Sequence, residues 1–235
     1  MRYLLFTCSL FLTAQACASV TIGMYGDSTT AGAQTLNGVL GISTRSEPSA
    51  LQDSLRTYFN QDITVVNEGV GGTQAAQLLK GQDGVHQPFS VEMSNSNADI
   101  VILNFGLNDQ HYSDGHDPAF EAVSPMQYWG YLAQLIDIAR SHNKIVVIQE
   151  PNPTKWQPAP GRLDTYVYVL RQAAASKNVP VVAQFNYIQA IPDWKSYLSE
   201  DGVHPKDALY AIKAKRTLDV ILPLVERELH RGTVS

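Results

Sequence analysis

The stretch VTIGMYGDSTTAG, from Val20 to Gly32, decides how this chain folds. Its first half, Val20 to Tyr25, is an apolar run with β-branched residues, as in a strand that is buried on both faces. Directly behind this run come a glycine, an acid and three hydroxyl side chains. A simple turn needs only one or two such residues. The stretch therefore predicts a functional edge, where a parallel strand ends and a helix begins.

Four further apolar runs repeat this pattern, and amphipathic stretches separate them. The runs are Ile63 to Asn67, Asp99 to Phe105, Lys144 to Gln149 and Val179 to Ala183. Strands that alternate with helices are typical of crossover connections in a parallel sheet, so the sequence predicts a single α/β domain. All five strands are expected to be buried on both faces. Four stretches are predicted as long irregular loops, namely residues 33–47, 110–123, 151–162 and 186–202.

Helix starts are indicated by capping signals. Ser46 and Ser124 are each followed within two residues by a proline, which suits the first turn of a helix. A last helix is expected to begin near Pro205. Because proline removes a backbone donor, this helix is expected to kink or break near Pro223.

Residues 1–18 resemble an export signal. Arg2 supplies a positive start, residues 4–12 are mostly apolar, and Ala16-Cys17-Ala18 fits the small-x-small cleavage rule. The apolar part is shorter than the roughly 20 residues that a membrane-spanning helix needs. We therefore expect a cleaved signal peptide over 1–18, a single domain over 19–235, and a periplasmic or secreted protein without stable membrane insertion.

Cys17 allows a second reading of the N-terminus, as the lipid-accepting cysteine of a bacterial lipoprotein. Gln15 is a poor fit for the small residue expected before Ala16, which disfavours that reading. Cleavage after Ala18 would remove both cysteines of the chain, Cys8 and Cys17. The remaining domain would then depend on its core alone for stability.

The charge of the chain is mildly acidic. It has 17 lysines and arginines against 22 aspartates and glutamates, a formal net charge of −5 at pH 7. Since no basic cluster stands out, nucleic acid and anionic membrane surfaces are not expected as partners. The sequence leaves the oligomeric state open.

Short motifs of glycine and polar residues follow each of the first three strands, and a fourth such motif precedes the last helix. They are Gly26-Asp27-Ser28, Gly69-Val70-Gly71-Gly72, Gly106-Leu107-Asn108-Asp109 and Asp201-Gly202-Val203-His204. Because ligands bind beyond the carboxyl ends of parallel strands, these motifs are expected to converge at one edge of the sheet.

The converging groups match the needs of nucleophilic acyl transfer. Ser28 offers a hydroxyl, His204 a base that could take its proton, and Asp201 a carboxylate that could orient the imidazole. The backbone N–H groups of Ser28 and Gly72, with the side-chain amide of Asn108, could form an oxyanion hole. A glycine at 72 would leave room for the reacting carbonyl.

In these motifs the chain resembles the SGNH (GDSL-type) hydrolase family. The four blocks stand in the family order between residues 26 and 204, and each is weak alone but specific together with the others. The resemblance implies a three-layer α/β/α sandwich similar to flavodoxin. It also implies the roles given above for Ser28, Asp201, His204 and the three oxyanion donors. Thr29 replaces the leucine that many members have, and Gly69 or Gly71 could donate in place of Gly72.

The resemblance implies an ester hydrolase that needs no metal or organic cofactor. Short-chain or carbohydrate acetyl esters rank slightly ahead as substrates, because the protein is expected to be exported and carries loop aromatics such as Tyr112 and Trp156. A lipase, a thioesterase and an acyltransferase remain open, as does an inactive carbohydrate-binding relative. An alternative of another class is a flavodoxin-like module whose hydroxyl-rich loop binds a phosphate.

One loop cluster invites a metal-site reading. His111, Asp114, His116 and Asp117 follow the third motif. Neither a histidine pair at helical spacing nor a cysteine ligand accompanies them, so a loop at the rim of the cleft is the preferred interpretation.

Overall fold

The computed structural model describes residues 19–155 and 162–231. The predicted signal peptide and Trp156 lie outside the described residues. The strands are β1 (Val20–Gly26), β2 (Ala33–Leu36), β3 (Val39–Ile42), β4 (Ile63–Gly69), β5 (Ile100–Asn104), β6 (Ile145–Gln149) and β7 (Val181–Val182). Five of them form a parallel sheet in the order β4-β1-β5-β6-β7, while β2 and β3 form a separate antiparallel hairpin.

Helices flank this sheet. They are α1 (Ser28–Ala31), α2 (Glu47–Phe59), α3 (Ala75–Lys80), α4 (Phe89–Asn95), α5 (Leu107–His111), α6 (Pro125–Ser141), α7 (Leu163–Ser176), α8 (Phe185–Gln189) and α9 (Asp207–Arg231). A short 3-10 helix spans Trp194–Tyr197. No helix in the described part of the chain has both the length and the apolar character that crossing a bilayer would require.

The side chains of the central strands alternate between two cores. On β5, Ile100 and Ile102 pack in the core that includes α2 and α9, whereas Val101 and Leu103 pack in the core that includes α3, α4, α6 and α7. Period-2 alternation between two apolar layers requires helices on both faces of the sheet. The predicted three-layer α/β/α sandwich is thereby confirmed.

The expectation that every strand is buried on both faces is wrong for β4. This strand is at the edge of the sheet and pairs only with β1. Several of its side chains are exposed, including Val66. The helical layers cover the central strands more completely than the edge, and a β-branched run does not reveal which strand will be at the edge.

The prediction of an irregular loop over 33–47 is also wrong, because β2 and β3 lie within it. The hairpin turns at Asn37 and Gly38, whose φ angles are 53° and 74°. An Asn-Gly pair with positive φ at both residues is the preferred two-residue hairpin turn. This dipeptide was the sequence signal for the hairpin. Residues 186–202 likewise contain α8 and the 3-10 helix rather than an unbroken loop.

The last helix continues through Pro223 and is not broken there. It begins at Asp207, two residues after the expected start. Ile221 and Val225, one turn apart on either side of the proline, are both fully buried in the core shared with α2. Tertiary packing of this face outweighs the loss of one backbone hydrogen bond at Pro223.

Candidate active site

The GDSTT segment is shaped by the junction between β1 and α1. Asp27 is the N-cap of α1, and its Oδ1 accepts hydrogen bonds from Thr29 N and Thr29 Oγ1, both at 2.8 Å. The hydroxyl of Thr30 donates to Asn104 Oδ1 at 3.2 Å. A Cβ at Gly26 would lie 2.2 Å from Thr30 Oγ1 and 2.6 Å from the carbonyl oxygen of Asn104. The glycine, the acid and two of the hydroxyls therefore serve the local structure, and Ser28 is left facing the cleft.

Ser28 and His204 are 176 residues apart in the sequence and in contact in the fold. Ser28 Oγ lies 2.9 Å from His204 Nε2, and His204 Nδ1 lies 2.9 Å from Asp201 Oδ2. These distances suit a neutral imidazole that carries its proton on Nδ1, donates to Asp201 and accepts from the Ser28 hydroxyl. The arrangement can move a proton from the serine to the imidazole.

Several donors converge on the carboxylate of Asp201. Its Oδ1 accepts from the backbone N–H groups of Val203 at 2.8 Å and His204 at 2.9 Å. Its Oδ2 accepts from the Thr35 hydroxyl as well as from the imidazole. Partial burial by itself raises the pKa of Asp201, but the hydrogen bonds from Thr35 and His204 outweigh it and hold that pKa below its usual range. The group is a carboxylate at neutral pH.

Asn152 supports the loop that carries the acid and the imidazole. It is buried in the segment after β6, and its Nδ2 donates to the carbonyl oxygen of Val203 at 3.0 Å. A backbone bond from Lys155 N to Gly202 O, 2.7 Å long, adds a second link. The sequence analysis missed Thr35 and Asn152, since neither residue is part of a recognisable motif.

The three expected oxyanion donors border one cleft of about 900 Å³, together with His204. Gly72 has a φ of 80°, a conformation that favours glycine. No acceptor within the described ranges bonds to the Gly72 N–H. The side-chain amide of Asn108 donates to the carbonyl oxygen of Thr73 at 3.0 Å, which holds it beside the Gly72 turn. Gly71 also borders the cleft, whereas Gly69 lies within β4.

Asp109 joins the two loops that carry these donors. It is fully buried, and its Oδ2 accepts from Gly106 N at 3.0 Å while its Oδ1 accepts from Ala75 N at 3.0 Å. Desolvation by burial raises the pKa of Asp109 to about 7, against the opposing effect of these backbone donors. The sequence analysis included Asp109 in the third motif but assigned no function to it.

The segment 110–123 forms a wall of the cleft. Tyr112 borders the cleft and stacks on Phe120, with ring centroids 3.7 Å apart. Phe120 in turn approaches the position that a Cβ on Gly72 would take. The segment is tied back to Gln74, which exchanges hydrogen bonds of 2.8 and 3.1 Å with the backbone of Glu121.

The histidines and aspartates of this segment do not assemble a metal site. His116 pairs with Asp114, and His111 borders the cleft. Across residues 19–155 and 162–231, no group of three or more His, Cys, Asp or Glu side chains could hold a metal ion. The wall is built on aromatic contacts instead.

The order and placement of the four motifs agree with the comparison to known families. The model of the GDSL-like lipase/acylhydrolase family matches residues 24–212, which include all of them. The chain belongs to the GDSL-like lipase/acylhydrolase family. It is therefore an ester hydrolase, and the family resemblance stated from the motifs is confirmed.

Several solved structures share the fold of this chain. A lipase/acylhydrolase from Enterococcus faecalis has a TM-score of 0.66 and 20% identity over 86% of this chain and 95% of its own. TesA has a TM-score of 0.64 and 19% identity over 87% and 99%. Axe2, an acetylxylan esterase from Geobacillus stearothermophilus, has a TM-score of 0.64 and 21% identity over 91% and 96%. A search of curated proteins finds no match. At these identities the likeness shows the fold alone.

Proposed function

We propose that this GDSL-like hydrolase is an exported serine esterase that cleaves carboxylic esters through an acyl-enzyme intermediate. Ser28 Oγ attacks the ester carbonyl while His204 Nε2 takes the hydroxyl proton, and the imidazole then gives that proton to the departing alcohol. Water attacks the acyl-enzyme with His204 as base, releasing the acid and restoring Ser28. Asp201 keeps the imidazole in the tautomer that both steps require.

The observation that carries this proposal is the 2.9 Å separation of Ser28 Oγ from His204 Nε2, with Asp201 Oδ2 2.9 Å from Nδ1. Gly72 and Asn108 border the same cleft, where donors could stabilise the negative charge of the tetrahedral intermediate. This pairing is hard to explain by a phosphate-binding module, which would need no base and no orienting acid.

Ser28→Ala tests the nucleophile. We expect the variant to lose hydrolysis of 4-nitrophenyl acetate and labelling by a fluorophosphonate, while its circular dichroism spectrum stays that of the wild type. Ser54→Ala is the matched control, because Ser54 bonds within α2 to the carbonyl oxygen of Ala50. Wild-type turnover by Ser28→Ala would refute the proposed mechanism.

For the substrate, we propose a short-chain ester or an acetyl ester of a carbohydrate. The wall of the cleft combines Tyr112, on which a sugar ring could stack, with the polar side chains of Gln110 and Thr154. The fold that is shared with an acetylxylan esterase is compatible with this class.

Longer acyl chains are a second candidate, and the β2–β3 hairpin favours them. Leu40 borders the cleft and is 63% exposed. Ile42, two residues further along β3, is 66% exposed. Exposed apolar side chains beside a reactive site are typical of surfaces that bind an apolar ligand. An apolar acyl group could lie along them.

A panel of esters separates the two candidates. It would compare acetyl, octanoyl and palmitoyl esters of 4-nitrophenol with thioesters of the same three acyl groups. Acetylated xylo-oligosaccharides would be the carbohydrate substrates. If long chains bind the hairpin, Leu40→Asn should raise KM for octanoyl esters and leave acetyl esters unchanged. Val39→Asn is the control, because Val39 pairs with Leu36 on the opposite face of the hairpin from Leu40.

Export is tested separately. We expect protein recovered from the periplasm or the medium to begin at Ser19, as cleavage after Ala18 predicts. An intact Met1 on the exported protein, or a lipid on Cys17, would contradict this part of the proposal.

A further inference from the structure

The β2–β3 hairpin links the segment of the nucleophile to the segment of the acid and base. The cap residue of α1, Gly32, donates its N–H to the carbonyl oxygen of Ser28 at 3.1 Å, and β2 begins at the next residue. At its base, the hydroxyl of Tyr210 on α9 donates to the carbonyl oxygen of Ala33 at 2.7 Å. The hairpin therefore starts beside Ser28 and is anchored to the helix that follows His204.

Further along, the hairpin is held by the residue that precedes the acid. Glu200 N donates to the carbonyl oxygen of Thr35 at 3.3 Å. The carboxylate of Glu200 accepts from the backbone N–H groups of Asn37 and Gly38 at the hairpin turn, both at 2.7 Å. These three bonds fix the hairpin on the loop that carries Asp201, so the Thr35 side chain has a defined position relative to that loop.

At this position the Thr35 hydroxyl donates to Asp201 Oδ2, the same oxygen that accepts from His204 Nδ1. The other oxygen of Asp201 is held by the backbone of its own loop. Without the Thr35 hydroxyl, Oδ2 would keep the imidazole at 2.9 Å and a longer contact of 3.4 Å with the Ser199 hydroxyl. The plane of the carboxylate, and with it the direction of the imidazole, would be less restricted.

We propose that Thr35 is a positioning residue for the Asp201–His204 pair, acting through its hydrogen bond to Asp201 Oδ2. This inference rests on the proposed serine-esterase function. Thr35 does not touch the reacting atoms. Its hydroxyl sets the orientation of the carboxylate and reduces the negative charge that Oδ2 presents to the imidazole.

Thr35→Val removes the hydroxyl with little change of volume, and Thr35→Ser keeps it. We expect kcat of the valine variant for 4-nitrophenyl acetate to fall by roughly 10- to 100-fold with little change in KM, because a hydrogen bond to a charged group is lost. The acid limb of its pH profile for kcat/KM should move to higher pH. An Asp201 carboxylate with one donor fewer stabilises the protonated imidazole more strongly.

The experiment compares wild type, Thr35→Val, Thr35→Ala and Thr35→Ser in steady-state kinetics and in the rate of fluorophosphonate labelling across pH. Thr57→Val is the control, since the Thr57 hydroxyl bonds within α2 to the carbonyl oxygen of Asp53. Each variant is checked by circular dichroism. Thr35→Ala also removes the hydroxyl, and it replaces the valine variant if that variant does not fold.

The proposal is supported if the variants without the hydroxyl have a low kcat and a shifted pH profile, and if Thr35→Ser retains nearly the wild-type kcat. Wild-type kinetics without the hydroxyl would overturn it. Equal losses in the serine and valine variants with unshifted profiles would also overturn it, because the residue would then have only a structural role. Ser28→Ala distinguishes a failure of the Thr35 proposal from a failure of the esterase mechanism. This variant would retain hydrolysis only if the esterase mechanism is wrong.

Discussion

The carboxylate of Asp109 bonds to the backbone N–H of Ala75, 34 residues earlier, across 3.0 Å of the protein interior. Its second oxygen bonds to Gly106 N. One buried side chain therefore fixes the start of α3, which follows the Gly72 turn, against the loop that presents Asn108. The ionisation of Asp109 is coupled to the stability of this part of the cleft.

Asp109 gives a pH-dependent component of stability. Burial raises its pKa from an ordinary value of 3.8 to about 7, so between these values the folded chain keeps a proton that the unfolded chain has released. Stability from this group is present below about pH 4 and is lost as the pH rises towards 7. We expect the free energy of unfolding of the wild type minus that of Asp109→Asn to fall by about 4 kcal/mol over this range, because one pKa unit corresponds to about 1.4 kcal/mol.

Urea unfolding of both proteins at pH 4.5 and 7.5 measures this difference. Asp53→Asn, on α2, is the control. A difference between wild type and Asp109→Asn that stays constant with pH would show that Asp109 titrates normally.

His86 makes a second pH-dependent contribution, at higher pH. Its side chain lies between Glu68 Oε2 at 3.3 Å and Asp83 Oδ2 at 2.7 Å, and the hydrogen bonds to Glu68 and Asp83 raise the pKa of His86 to about 9. Its stabilisation is full below about pH 6.5 and is lost as the pH rises through 9. We expect His86→Gln to lose on the order of 2 kcal/mol at pH 6 and much less at pH 9.5.

Denaturant unfolding at these two pH values checks the His86 prediction. His116→Gln is the matched control, because the pair of His116 with Asp114 is exposed to solvent and should contribute little. Equal losses at both pH values for His86→Gln would mean that packing, not charge, explains them.

Lys213 and Glu47 form an ion pair in the interior between α2 and α9. Lys213 Nζ lies 3.1 Å from Glu47 Oε2, and both side chains are buried. Thr217 and Gln149 donate to the other oxygen of Glu47 at 2.8 and 2.6 Å. Lys213→Met leaves the Glu47 charge uncompensated, so we expect a loss of about 3–5 kcal/mol in the free energy of unfolding.

A double-mutant cycle with Glu47→Leu tests the Lys213 prediction. The double variant Glu47→Leu/Lys213→Met should be more stable than the sum of the two single losses predicts, because no buried charge is left alone. Additive losses would show that the two charges do not depend on each other.

Gly69 is required by close packing of β4 against α1. A Cβ on Gly69 would lie 2.2 Å from the backbone nitrogen of Ala31, and backbone cannot move aside as a flexible side chain can. We expect Gly69→Ala to lower the free energy of unfolding by about 1–3 kcal/mol or more, and to reduce hydrolysis by displacing α1. Gly41→Ala, where a Cβ would meet nothing within 4 Å, should melt like the wild type.

The sequence predicted the parallel sheet and its crossover helices because their signals are local, and the family resemblance added the three-layer arrangement. A continuous apolar run, such as the one that begins at Ile100, indicates a strand that is buried on both faces, and a period-3.6 apolar pattern indicates a helix with one buried face. Features that depend on distant neighbours were predicted less well. The exposure of β4 follows from its place at the edge of the sheet, and the persistence of α9 through Pro223 follows from the core that it packs on.

By itself the sequence determined the α/β architecture and the family, and it indicated Ser28, Asp201 and His204 as candidates, because each belongs to a short motif with its own spacing. Only the tertiary structure decided which groups surround them. Thr35 reaches Asp201 across 166 residues, and Asp109 reaches Ala75 across 34. A hydrogen bond between distant segments depends on how whole helices and strands pack together. No sequence pattern around Thr35 distinguishes it from the other threonines of the chain.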